Sequence, residues 1–272
     1  MIKDITVGQY FPGDSLLHRL DPRMKLLLTL LFIVGVFLPQ NWIGLGFAAV
    51  CLFGAIALSR LPVKLVLRSL KPVAVLVIFT AVLNVFYVSG GTPLLDWWIF
   101  HVTTRGLNTA GFIAVRILCL IAGSSLLTYT TTPTALTDAI EGVLSPLKLI
   151  RVNPHELAMM MTIALRFIPT LMEETDKITS AQKARGADLE SGGLIRRMKA
   201  LIPILIPLFV SSFRRAYDLA MAMECRCYQG GEGRTRMKRL KTASRDWISL
   251  AVVLAAMAVP IGLNVIFGSV LN

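Results

Sequence analysis

Two arginines carry the chemistry this sequence can support. Arg185 stands between Ala184 and Gly186 in "SAQKARGADLE", and Arg226 stands between Cys225 and Cys227 in "AMAMECRCYQGG", 41 positions later. A guanidinium is a rigid, planar fork of donors that takes a carboxylate through two parallel hydrogen bonds. Small neighbours leave that fork unshielded, so an acidic partner surface can approach it. A cation in the last turn of a helix also gains roughly 0.3 to 1 kcal/mol from the dipole and the free carbonyls, which explains one such arginine at a time. Repetition points further. Both sites precede a glycine pair and a basic run, "GGLIRRMK" and "GGEGRTRMK". They read as two copies of one docking device, suited to two related partner surfaces such as a dimer of soluble subunits.

Other reactive side chains do not assemble into a site. His18, His101 and His155 are scattered, and neither an H-E-x-x-H pattern nor an Asp-rich motif occurs, so nothing supports metal-assisted or transferase chemistry. Cys51, Cys119, Cys225 and Cys227 form no C-x-x-C pair and have no nearby histidine, so neither zinc nor a disulfide framework is indicated. No G-x-x-x-x-G-K-[ST] loop occurs, so the chain is not expected to hold ATP in that manner. The expectation is a non-enzymatic protein with no cofactor or metal of its own.

The elements that hold the two arginines belong to a membrane protein. Of 272 residues, 55% are hydrophobic and only 16% charged, and the mean hydropathy is +0.67, outside the range of ordinary soluble domains. Apolar runs at 26–38, 42–58, 73–88, 106–127 and 248–270 give five expected spans, the first three short for a hydrocarbon layer about 30 Å thick. The first 25 residues are polar and mixed and no small-residue cleavage site follows, so the first run is expected to stay as an anchor.

The net charge of +12 is that of basic cytoplasmic loops rather than of a nucleic-acid surface. Four basic residues lie in 1–25, four in 59–72 and eighteen in 128–246, whereas 39–41 and 89–104 hold none. This alternation puts the N-terminus in the cytoplasm and the C-terminus outside. The outer loop "DWWIFH", Asp96 to His101, carries aromatics suited to the interface. Arg116, in the middle of the fourth span, must face protein or water, with a structural use expected.

The expected organisation is an all-α membrane protein of about five transmembrane helices plus cytoplasmic or interfacial amphipathic helices. Residues 1–127 hold four spans, 128–246 the cytoplasmic helices with both small-Arg-small motifs, and 247–272 the last span. Within 128–246, Thr132 and Pro133 start one helix that Pro146 stops. Asn153, Pro154 and Glu156 make a near capping box for the next, which runs to Arg185 with Gly186 in the left-handed position, about 48 Å of helix. A third starts near Gly193 or Leu194 and ends around Tyr228. The apolar runs 157–165 and 201–213 are shorter than a span, and the second contains Pro203 and Pro207, so both are read as lying along or beneath the membrane. Met159, Met160 and Met161 are either an adaptable contact surface or simple apolar filling. Asp21, before Pro22, is expected to fix the start of the first span, paired with Arg19 or Arg23.

The N-terminal "GQYFPGDSLLHRLDPRMKLL", the short spans, the basic cytoplasmic region and the paired Ala-Arg-Gly-type motifs together resemble the transmembrane T component (EcfT) of energy-coupling-factor transporters, importers of the ATP-binding-cassette class. The resemblance covers nearly the whole chain. It implies a bacterial cell-membrane location and partners: two ATPase subunits of the EcfA and EcfA' type, which bind ATP and magnesium, and a membrane-embedded substrate-binding S component for a vitamin or micronutrient. It implies that Arg185, with Ala184 and Gly186, and Arg226, with Cys225 and Cys227, dock into the ATPases. Met159, Met160 and Met161 are then candidates for contact with the S component. The second motif departs from the family pattern in its two cysteines. A self-contained secondary transporter would need ionisable residues within the spans, and these are almost absent apart from Arg116. An ordinary importer permease differs in binding substrate itself.

Overall fold

The computed structural model describes residues 10–87, 93–97, 100–146, 153–187, 193–230 and 240–267. Among these, nine α-helices and one two-stranded hairpin follow in the order α1 (Pro22–Phe37), α2 (Trp42–Ser59), α3 (Val63–Leu70), α4 (Ala74–Tyr87), β1 (Pro93–Trp97), β2 (Phe100–Thr103), α5 (Thr104–Thr130), α6 (Pro133–Val143), α7 (Pro154–Ala184), α8 (Leu194–Glu224) and α9 (Ser244–Phe267). The chain divides into two compact units: residues 9–139 with 239–272, and residues 140–238 with 1–8.

The first unit is built around α5. Helices α1, α2, α3 and α4 pack against it, and α9 packs on α1 and α2. Side chains able to accept from free helix N–H groups start these elements: Asp21 from Arg23 in α1, Asn41 from Gly44 in α2, Thr103 from Gly106 in α5, as N-caps do. Asp21 therefore pairs with the backbone of Arg23 rather than with a guanidinium. The core contains Val36, Leu45, Leu52, Phe112, Cys119, Leu126 and Tyr129. Glycine lets helices approach where the hydrophobic effect cannot drive them together in lipid. A Cβ on Gly123 would stand 2.2 Å from the Phe32 ring.

The outer faces are apolar as well. Phe53 in α2, Val75 and Ile78 in α4, and Ile248 and Val252 in α9 are all exposed, the inverse of a soluble protein and what hydrocarbon solvent requires. Arg116, halfway along α5, faces protein: its guanidinium donates to the Pro39 carbonyl and lies 4.6 Å from the centroid of the Phe112 ring, while its buried Nε has no partner among the described residues. Its use is structural, holding the α1–α2 connection against α5.

A polar node ties three helix ends together. The buried Lys25 ammonium donates to the His18 carbonyl at 3.2 Å and the Thr130 carbonyl at 2.9 Å. Asp246, 2% exposed, accepts from the Asp21 N–H at 3.0 Å and the Ala243 N–H at 2.7 Å. Buried charges persist only with such partners.

Among the described residues, five helical stretches are by length and composition apolar enough to cross a membrane: Trp42–Ser59, Val63–Tyr87, Thr104–Thr130, Ile195–Glu224 and Ser244–Gly262; four of them overlap runs read as spans from the sequence, and α8 is the addition. Helix α1, at 16 residues, is about 24 Å long, short for the hydrocarbon layer as its apolar run suggested. Helix α8 qualifies because it continues through Pro203 and Pro207. The side chains of the "DWWIFH" stretch lie outside the described residues.

Candidate functional site: two matched helix ends

Both marked arginines lie in the second unit, on the two long helices α7 and α8. Helix α7 starts at Asn153 and Pro154 as expected, but the capping box does not form. The Asn153 amide donates to the Glu156 carboxylate at 2.9 Å and makes no bond to the backbone, because a charged acceptor outcompetes a carbonyl or N–H for a short amide side chain. His155 Nδ1 stands 3.1 Å from Glu141 Oε1, joining the end of α6 to the start of α7. Helix α6 starts as read, with the Ala135 N–H donating to Thr132 Oγ1 at 3.2 Å.

The two helix ends have the same hydrogen-bond pattern, 41 residues apart. At α7, the Gly186 N–H donates to the Lys183 carbonyl at 3.0 Å and the Ala187 N–H to the Gln182 carbonyl at 3.0 Å. At α8, the Cys227 N–H donates to the Glu224 carbonyl at 2.8 Å and the Tyr228 N–H to the Met223 carbonyl at 3.0 Å. Each is a Schellman closure with one residue in the left-handed region. That residue is Gly186 at φ +86° and Cys227 at φ +54°, so the second cysteine performs the backbone task of the first motif's glycine. Regular α8 ends at Glu224 rather than near Tyr228 because this closure occupies 225–228. Arg185 and Arg226 each immediately precede the left-handed residue. The closure turns the chain away and leaves the arginine at the tip.

Ala184, Arg185, Gly186, Cys225, Arg226 and Cys227 are all exposed. Among the described residues, the side chains of Arg185 and Arg226 make neither a hydrogen bond nor an ion pair. Two accessible forks of donors are the chemical capacity of this site, and carboxylates are its natural acceptors. The methionines divide: Met160 and Met161 are exposed, whereas the Met159 sulfur accepts from the Tyr228 hydroxyl at 3.0 Å and so braces the α8 end against the start of α7.

Three contributors lay outside the sequence reading. Arg215 of α8 meets Glu174 of α7 at 2.9 Å, and the hydrogen bond from Ser211, then that from Arg215, hold the Glu174 carboxyl below its ordinary range. Tyr228 is the third. The 41-residue offset that pairs the arginines also pairs Glu174 with Arg215, so the repeat itself carries the signal. Beside this ion pair, α7 and α8 enclose an open apolar groove of about 420 Å³, lined by Leu171, Thr175, Leu205, Phe209, Ser212 and Ala216 among others. It holds no titratable side chain, so it can bind an apolar surface but cannot do acid–base chemistry.

Comparison with known proteins gives the same direction. The family described as cobalt transport protein, CbiQ, matches residues 13–237. A relative from Clostridium kluyveri named energy-coupling factor transporter transmembrane protein EcfT is 56% identical over 262 residues, 96% of this chain and 97% of the relative. Its namesake in Ruminiclostridium cellulolyticum is 51% identical over 269 residues, 98% of this chain and 100% of that protein. The Lactococcus lactis subsp. cremoris protein of the same name is 46% identical over 252 residues, 93% of this chain and 94% of the relative. With an all-α membrane fold, apolar outer faces and this near full-length similarity, the chain belongs to the EcfT family of energy-coupling factor transporter transmembrane proteins.

Proposed function

We propose that this chain is the coupling subunit of its transporter. It docks two cytoplasmic ATPase subunits on Arg185 and Arg226 and passes their ATP-driven motion along α7 and α8 to a substrate-binding membrane partner, for uptake of a vitamin or micronutrient. The observation that carries the reading is the pair of exposed arginines at matched Schellman closures. Two equal donors on two equal turns fit two related acidic grooves, as an ATPase dimer would offer. Closure of that dimer draws on both helix ends at once. The chain itself holds no nucleotide in this scheme; ATP and magnesium belong to the partners. The open apolar groove and the exposed Met160 and Met161 are suited to a membrane partner, because apolar and thioether surfaces adapt to several shapes. The alternation of basic and base-free loops supports a cell-membrane protein with a cytoplasmic N-terminus and an outer C-terminus, and with α7 and α8 on the cytoplasmic side.

The test is charge reversal at each tip. Arg185→Glu and Arg226→Glu are expected to weaken ATPase retention on a tagged, mildly solubilised chain and to abolish uptake, with membrane insertion unchanged. Wild-type retention and uptake in both variants would sink the reading.

A further inference from the structure

Glu174 and Arg215 hold equivalent places in their helices. Each lies 11 residues before its docking arginine, about 16 Å of helix, and the two meet at 2.9 Å with side chains 21% and 40% exposed. Helices α7 and α8 run in opposite senses past this contact, because Tyr228, just beyond the end of α8, reaches back to Met159 near the start of α7. The two docking ends therefore leave the ion pair in opposite directions. Leu171 and Ser212, and Thr175 and Ala216, are also 41 apart, and all four line the shared groove. Packing about the pair thus follows an approximate two-fold relation, in which matching positions of the two halves meet near the axis. Apolar contacts in the groove are non-directional and permit sliding or rotation. A charge-assisted hydrogen bond has a preferred geometry and does not.

We propose that the Glu174–Arg215 pair is the pivot of the α7–α8 lever, a positioning pair that fixes where the helices cross and makes the arms to Arg185 and Arg226 equal. A displacement imposed at one tip then produces a matched, opposite swing at the other, so both ATPases act on one rigid crossing. The proposal rests on the docking reading for its use in transport, but its geometry belongs to the chain alone.

Two measurements separate the two ideas. In the first, Ser180→Cys and Met221→Cys, equivalent exposed sites near the tips, carry spin labels in the full chain reconstituted in liposomes, with Cys51, Cys119, Cys225 and Cys227 replaced by serine. The pivot requires a single narrow distance distribution, broadened by Glu174→Gln or Arg215→Gln and narrowed again by the charge-swapped double variant E174R/R215E. Unchanged distributions in the single variants, or a swap as broad as either of them, overturn the pivot. In the second, assembled transporters are compared for substrate moved per ATP hydrolysed. Each single variant should keep its ATPases and lose about fivefold in that ratio, with recovery in the swap. Normal ratios in the single variants refute the pivot while leaving docking intact. Predicted label distances, together with failure of the chain with native Cys225 and Cys227 to retain ATPases, support the pivot and refute the docking reading.

Discussion

The left-handed residue after each of Arg185 and Arg226 offers a matched pair of perturbations with opposite signs. Gly186 sits at φ +86°, and a Cβ built there meets nothing within 4 Å. Gly186→Ala therefore introduces no clash, and its effect is confined to the backbone. An L-residue in the left-handed region costs about 1 kcal/mol relative to glycine. Cys227 already bears that cost at φ +54°, so Cys227→Gly should recover about the same amount, less the additional entropy glycine has in the unfolded turn. About 1 kcal/mol corresponds to roughly fivefold in a local opening equilibrium. Hydrogen exchange of peptides containing the Ala187 and Tyr228 amides, which close the two turns, reads this directly. Gly186→Ala should speed exchange at the first turn about fivefold with no effect at the second, and Cys227→Gly should slow it at the second alone. Equal exchange in Gly186→Ala and the parent would refute the claim that the left-handed residue governs how firmly each arginine is presented.

Two further predictions concern the membrane unit. Gly123→Ala pushes a methyl into the Phe32 ring, so α1 and α5 must separate or Phe32 must leave its rotamer; a loss of about 1 to 3 kcal/mol is expected, read as a lower thermal midpoint in detergent. Asp246→Ala strands the Asp21 and Ala243 N–H groups that its carboxylate holds and leaves the Lys25 ammonium with less compensating charge. It should cost about 2 to 4 kcal/mol and show as poor yield of folded protein, with Asp246→Asn closer to the parent because the amide oxygen can still accept one bond.

Local chemistry was legible in the sequence because its causes are local. Asp21-Pro22 and Thr132-Pro133 start helices α1 and α6 where proline and a side-chain cap place them, Asn153-Pro154 starts α7 through its proline without the expected cap, and Gly186 closes α7 as expected. Arg185 and Arg226 were legible as a pair through repetition, since the same turn recurs 41 residues later. Length was harder to read than helicity. The apolar run 201–213 is shorter than a span, yet α8 carries it within 31 helical residues that pass through Pro203 and Pro207, because a proline removes one N–H from the ladder and packing or lipid burial of the rest outweighs that loss. Helix α1 has 16 residues between its capped start and the Pro39 turn, short for a span as its apolar run suggested.

Composition and periodicity alone determined that the chain is an all-α membrane protein with two long helices ending in exposed arginines. These follow from hydropathy, charge and capping, all read within a few residues of chain. Only the tertiary structure decided that Cys227 takes the role of Gly186, that Arg116 is held by the Pro39 carbonyl, and that Glu174 and Arg215 meet between α7 and α8. A backbone dihedral, a distant carbonyl and a cross-helix partner are set by how separate segments pack, and one-dimensional spacing carries that information only where a repeat happens to encode it.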